Sequence, residues 1–436
     1  MADIFYALLT LGSSSLWGFV GGWILYFYLP PNGTPLVPIA LYSIVMLVSR
    51  GINIAITLPI GFISDQTRTR WGRRTPYIFT ASLFMLGSFA LLWMPPHRTE
   101  SLANLFYLAA VMIVFNTAYS FRQIPYEALL PEFAPEEKRR VDIAGWMAGF
   151  QLVGAVFAGF AGPLIEALGF RNSALILAGI MLPFFFLPLF FIRENQTPPI
   201  LQKQERVPEA DTASMSFWTH LKLTLANRAF LIFIASWGLF WMSSTFVLST
   251  IPYIATEICR GTEADTVYFY IPPIIVSLIC FPIVTRLANA LSARTGTSGY
   301  GTRIIFLGSL LSGALILPGL FFIGDSIPVP LLWQGVIWIC LEAIALSGAQ
   351  VLPNAIAADI ADADARATGQ HREGSYYSTL GLLDQASSGL ASFLLPLFLL
   401  LGRSNSDTHG PLGVRLLGLA GGLALFAAFL IFRKYE

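Results

Sequence analysis

The chain has 436 residues, of which 55% are hydrophobic and only 12% charged. A soluble domain carries about 25% charged residues, so this composition excludes an ordinary cytosolic globule and points to a surface that faces lipid. A net charge of +1 leaves nothing to attract nucleic acid.

The opening MADIFYALLT has neither a basic region nor a small-residue cleavage site, so the first apolar run reads as a retained helix. Residues 4–49 carry no charge, more than the roughly 20 residues one span needs. The turn-forming PPNGTP at 30–35 divides them into a first helix and the start of a second. Further apolar runs follow at 75–97, 101–121, 143–165, 172–192, 229–256, 266–285, 304–324 and 416–432. Two more hold one acid each: 327–352 around Glu342, and 376–402 around Asp384. Together these predict an all-α membrane protein of twelve transmembrane helices.

The one long polar connection splits the spans six and six. It predicts an N-terminal six-helix bundle at 1–194, a cytoplasmic linker at 195–227 and a C-terminal six-helix bundle at 228–436. The linker's end, SFWTHLKLTLANRAF, has the pattern of an amphipathic helix lying on the membrane. Lysines and arginines crowd one side, at Arg68–Arg74, Lys138–Arg140, the linker, Arg286–Arg303, Arg366–Arg372 and Arg433–Lys434. The other side holds Arg98, Arg171, Arg260, Arg403 and Arg415. The asymmetry predicts cytoplasmic termini. A basic, glycine-containing loop follows the second helix of each half, SDQTRTRWGRR and RLANALSARTGTSGYGTR, as duplication would leave. Cys259, Cys280 and Cys340 are scattered and read as small buried apolar residues, so no metal or cofactor is expected.

A charge at a helix centre costs about 2.5–3.5 kcal/mol on insertion scales, so each one needs a reason. Four stand out: Arg50, Arg122, Glu342 and Asp384. Asp384 is the candidate for proton coupling, because a carboxyl exposed alternately to the two sides would load and release a proton. In the alternative, Asp384 or Glu342 neutralises Arg50 or Arg122 in a fixed pair.

Three segments carry a family resemblance: GFISDQTRTRWGRRTPYI at 61–78, QIPYEALLPEFAPEEKRR at 123–140, and AADIADADARATGQHREGSYYS at 357–378. In order, spacing and membrane side, the set resembles the glycoside–pentoside–hexuronide:cation symporters of the major facilitator superfamily. The resemblance implies a monomeric plasma (inner) membrane transporter, not an enzyme. Its partners would be a small-molecule substrate, the lipid bilayer and a co-transported proton, and alternating access would move a sugar or glycoside. In that family, acids on helices 1, 2 and 4 and a lysine on helix 11 organise the cation and sugar sites. Alignment puts Ser14, Asn53, Thr57 and Gln123 at the acids and Gln385 at the lysine. Every one is neutral, which implies proton coupling or facilitated diffusion in place of sodium coupling.

The resemblance also implies a substrate wall of Trp17, Asn53, Tyr119, Gln123, Trp146 and Trp241, on helices that line the family's cavity. Aromatic faces there would stack on the C–H faces of a sugar. The charges also suit a gate in which Arg68, Arg70 and Arg73 meet acids such as Asp65, Asp359 and Asp362, in pairs that break as the protein opens. Relatives of this branch carry lysophospholipids, so a lysolipid or another amphiphile is the second substrate class. An intramembrane prenyltransferase would need two facing acid-rich motifs, and the chain offers the single cluster Asp359, Asp362 and Asp364.

Overall fold

The computed structural model describes residues 2–31, 33–66, 69, 72–134, 136–191, 224–296, 299–368, 373–401 and 411–435. Thirteen principal α-helices run through them: α1 (Ala2–Tyr28), α2 (Ile39–Gln66), α3 (Thr75–Leu92), α4 (Leu102–Phe133), α5 (Glu137–Gly159), α6 (Ala161–Phe186) and α7 (Arg228–Tyr253). The remainder are α8 (Val267–Thr295), α9 (Tyr300–Ile316), α10 (Leu331–Val351), α11 (Pro353–Thr368), α12 (Glu373–Leu399) and α13 (Pro411–Phe432). Twelve segments are long and apolar enough to cross a membrane, α10 and α11 counting as one.

Local chemistry sets the boundaries. Ser101 accepts a hydrogen bond from the Ala103 amide at 3.1 Å to start α4, and Asn227 accepts from Phe230 at 3.2 Å to start α7. Gly296, at φ 66°, ends α8, and Gly299, at φ 77°, opens α9. The expected loop at 286–303 is therefore short, because the RLANALSAR stretch favours helix and extends α8 to Thr295. Of the expected amphipathic helix at 216–230, Thr224–Phe230 lies within the described residues, and its last three residues belong to α7.

The fifth and sixth spans divide inside α6. Gly169 has φ 76° and ψ 163°, outside helical values. Up to that point the chain runs away from the face holding the chain ends: Met147 meets Thr10, Gly154 meets Ser14, and Gly162 meets Thr266. Beyond it the direction reverses, from Phe170 beside Phe27 (4.8 Å) to Phe185 against Gly12 and Phe191 against Phe5 (4.1 Å).

Within the first half α1 packs on α5 and α6, and α4 on α2 and α3; in the second, α7 packs on α12 and α13, and α10 on α8 and α9. The halves meet where α1 touches α7, α2 touches α12 and α5 touches α8. The halves share a device. Buried Asn104, in the first turn of α4, accepts from the His97 amide (2.9 Å) and donates to the carbonyls of Leu36, His97 and Thr99 (3.0 Å each). Buried Gln334, in the first turn of α10, accepts from the Gly324 amide (3.1 Å) and donates to the carbonyls of Gly324 (3.0 Å) and Val329 (2.7 Å). Each amide clamps the loop that precedes its helix.

Candidate functional site: a cavity between the two halves

Polar side chains recur along the helices that meet between the halves. On α4, Asn116, Ser120, Gln123 and Glu127 follow spacings of four, three and four, one face of a helix. On α2 the same face holds Arg50, Asn53 and Thr57, and on α12 it holds Gln385, Ser388 and Ser392. These stripes create the site.

A cavity of about 690 Å³ lies between the halves. Thr10, Ser13, Ser14 and Trp17 of α1, Tyr119, Gln123 and Glu127 of α4, and Gln151 of α5 line one side. Trp241, Ser244 and Thr245 of α7, Ser277 of α8, and Glu342 and Gln350 of α10 line the other. Trp17 packs on Tyr119, ring centroids 4.7 Å apart. A smaller chamber of about 110 Å³ adjoins it, sharing Trp17, Trp241, Thr245 and Leu248 and reaching Arg50, Asn116, Ser388 and Ser392.

Hydrogen bonds among the described residues tie one half to the other, five of them through the following pairs. Four lie toward the face opposite the chain ends: Ser249 Oγ to the Gly21 carbonyl (3.1 Å), Tyr253 Oη to the Leu29 carbonyl (2.7 Å), Tyr26 Oη to Glu263 (3.2 Å), and the Ala264 amide to Glu166 (2.7 Å). The fifth joins Asn53 Nδ2 to Gln385 Oε1 at 2.7 Å. Ser120 Oγ donates to Asn53 Oδ1 at 2.9 Å, and Thr57 Oγ1 lies 3.2 Å from Ser120 Oγ. A neutral chain of hydroxyls and amides, Thr57–Ser120–Asn53–Gln385, thus runs from the first half to the second.

Other expected site residues fall in different places. Trp146 is 50% exposed beside Phe150, on a face of α5 away from the lining residues Met147 and Gln151. It therefore does not join the substrate wall. Arg122 is wholly buried inside the first half. It donates to the Leu9 carbonyl and to Gln123 (3.2 Å), with its guanidinium 5.0 Å from the Phe185 ring and 5.5 Å from Tyr126. That environment ties α4 to α1 and α6, and it holds neither Glu342 nor Asp384. Glu342 is buried against the cavity, whereas Asp384 lines neither space and has a buried Oδ1 without a hydrogen-bond partner among the described residues.

At the expected gate, Asp359 and Asp362 are exposed on α11, and Arg73 is half-buried. Arg68, Arg70 and the side chain of Asp65 lie outside the described residues. On the same face Arg139 pairs with Asp3 at 2.7 Å, and that hydrogen bond holds the guanidinium more firmly protonated than usual. The sequence reading missed Asn116 and Ser120, although their helical spacing to Gln123 was available as a signal. It also missed Glu166 and Glu263, which belong to turns whose partners are distant in sequence.

The comparisons agree with this architecture. Residues 5–420 match the family model described as MFS/sugar transport protein. An uncharacterized symporter, sll1374, of Synechocystis is 25% identical over 444 residues, covering 83% of this chain and 79% of its own. The sodium-dependent lysophosphatidylcholine symporter 1 of Xenopus tropicalis is 22% identical over 243 residues, covering 48% of this chain and 45% of its own. Among solved structures, the nucleoside transporter NupG superposes with a TM-score of 0.67 at 14% identity, covering 100% of both chains. A bacterial homologue of the human lysosomal transporter Spinster, inward-facing and unoccupied, gives 0.67 at 12% identity, covering 100% of this chain and 96% of its own. At such identities these likenesses establish the fold alone. With twelve candidate spans, a cavity between two halves and a family match over nearly the whole chain, this is an integral membrane secondary transporter that belongs to the MFS/sugar transport protein family.

Proposed function

We propose that the protein moves a small polar solute, a sugar or glycoside, by alternating access. The bundle at 1–194 rocks against that at 228–436, with the 195–227 linker between them. The observation that carries this reading is the cavity wall itself. Two indoles, Trp17 and Trp241, stand among Gln123, Gln151, Ser244 and Gln350, which suits a ring with C–H faces and a hydroxyl rim. Trp241 Nε1 is buried without an acceptor among the described residues and is available to a solute oxygen. The cross-half hydrogen bonds near the face opposite the chain ends support a state open toward the face that holds them. The Lys/Arg asymmetry supports assigning that face to the cytoplasm of a plasma (inner) membrane protein. A monomer satisfies this reading.

Proton coupling or facilitated diffusion fits the site better than sodium coupling. The neutral Thr57–Ser120–Asn53–Gln385 chain offers no carboxylate to a sodium ion. Glu342, facing the cavity, is the candidate proton carrier, with Asp384, whose buried Oδ1 has no hydrogen-bond partner among the described residues, the second. The gate reading of Arg73 with Asp359 and Asp362 belongs to the same proposal. A lysolipid is the second substrate reading. It is favoured by the named likeness to lysophosphatidylcholine symporters and by the apolar wall of Leu152, Ala155, Ile274, Phe281 and Ile339.

Uptake into proteoliposomes tests these readings, using labelled sugars and lysolipids with a proton gradient, a sodium gradient or none. Sugar uptake in the first or last condition supports the main reading. Sodium-driven uptake overturns the coupling assignment, and lysolipid movement without sugar movement promotes the second substrate class.

A further inference from the structure

The smaller chamber has a chemistry that the sugar reading does not use. Its one formal charge is Arg50, since no Asp or Glu is among its lining residues. The Arg50 guanidinium lies over the Trp17 ring, 4.7 Å from the centroid. Stacking of this kind leaves the N–H edge of the fork free. A guanidinium carries five N–H donors and no acceptor, and among the described residues none of these donors meets a protein acceptor or carboxylate. Asn116 completes the wall. Its side chain is wholly buried, and neither its amide nitrogen nor its amide oxygen has a hydrogen-bond partner among the described residues. Buried polar groups are ordinarily satisfied, and a buried charge is ordinarily paired. Here a half-buried cation and a buried amide line one empty volume, with Ser388, Ser392 and Thr245 around it.

We propose that this chamber binds the anionic group, a carboxylate or a phosphate, of the transported solute. Resting on the transporter reading, the inference adds a second recognition point to it. The body of the solute occupies the 690 Å³ cavity, and its anion passes between Trp17 and Trp241 to the fork of Arg50. The chamber's volume of about 110 Å³ suits an acid group and not a whole sugar ring. The Asn116 amide nitrogen donates to the anion beside the guanidinium. A sugar acid, a sugar phosphate and a lysolipid phosphate share this chemistry.

Binding of matched probe pairs to the full-length protein tests the proposal by tryptophan fluorescence and thermal shift. The pairs are a hexose 6-phosphate with its hexose, glucuronate with glucose, and lysophosphatidic acid with a monoacylglycerol. The charged member of at least one pair is expected to bind about tenfold more tightly than the neutral one, as charge-assisted hydrogen bonds imply. The pair that responds identifies the source of the anion. Arg50→Gln is expected to abolish the difference, and Arg50→Lys to restore part of it. Should Arg50→Gln not fold, Ser388→Asp places a carboxylate in the chamber and is expected to remove the preference. Equal binding within every pair overturns the proposal, as does a preference that survives Arg50→Gln or Ser388→Asp, or failure of all charged probes to bind. Uptake separates the two readings. Neutral sugar uptake without any anion preference removes the chamber assignment alone, whereas Arg50-dependent anion binding without uptake of any sugar probe removes the sugar reading alone.

Discussion

Asn53 donates a 2.7 Å hydrogen bond to Gln385, joining α2 of the first half to α12 of the second. Ser120 holds the other end of the Asn53 amide from α4. Two neutral amides therefore bridge the halves.

Removing that bridge is expected to cost little stability. Interhelical hydrogen bonds in membranes average about 0.6 kcal/mol in double-mutant cycles. Asn53→Ala, Gln385→Ala and the double variant should give a coupling energy of about that size in thermal unfolding. A coupling of about 3 kcal/mol would mean that the pair holds a bound ion.

Gly162 controls the contact on the face opposite the chain ends. A Cβ there would stand 2.0 Å from Thr266 Oγ1 and 2.1 Å from the Glu263 carbonyl oxygen, an approach that only glycine permits. Gly162→Ala should disfavour the state seen here and populate the one open on that face. In a background with Cys259, Cys280 and Cys340 changed to serine, a Ser244→Cys label should react with an impermeant thiol reagent from that face about fivefold faster, the low end of typical coupling energies. Unchanged reactivity would mean that the neighbouring turn yields and the halves do not.

The two acids can be told apart by pH. Where an acidic exterior accelerates inward uptake, Glu342→Gln should reduce it to the rate without a gradient, while Asp384→Asn should keep the acceleration. Glu342 meets the cavity and Asp384 does not. The opposite pattern would assign the proton to Asp384.

Arg122 should matter to folding before it matters to binding. Its guanidinium is enclosed by Phe185, Tyr126 and the Leu9 carbonyl. Arg122→Gln should lower stability by about 3 kcal/mol, the scale of a desolvated cation–π contact together with a charged hydrogen bond. Retained substrate affinity in the surviving folded fraction would support this assignment.

Much of the fold was legible because lipid forbids charge over about 20 residues, and runs such as 304–324 or 416–432 are unmistakable. Trp146 was misplaced because tryptophan is as much at home against lipid as against a sugar, and only its angle on α5 decides. The roles of Arg50 and Arg122 could not be separated by composition. One lies over Trp17 beside an empty chamber; the other is enclosed by its own half. The loop contact of Glu166 with Ala264 joins positions 98 apart in sequence, and no local pattern announces such a meeting.

The cross-half contacts near the opposite face have a further consequence for divergence within the family. Ser249 and Tyr253 donate to the main-chain oxygens of Gly21 and Leu29, and Glu166 accepts from the main-chain nitrogen of Ala264. On one side of each of these three contacts the residue's identity is chemically silent, whereas Tyr26 and Glu263 meet side chain to side chain. Leu29 and Ala264 can drift to other residues that preserve the backbone path, and the latch persists; Ser249, Tyr253 and Glu166 have no such freedom. Evolution can therefore retune the latch from one partner at a time, without the paired substitutions that a salt bridge would demand.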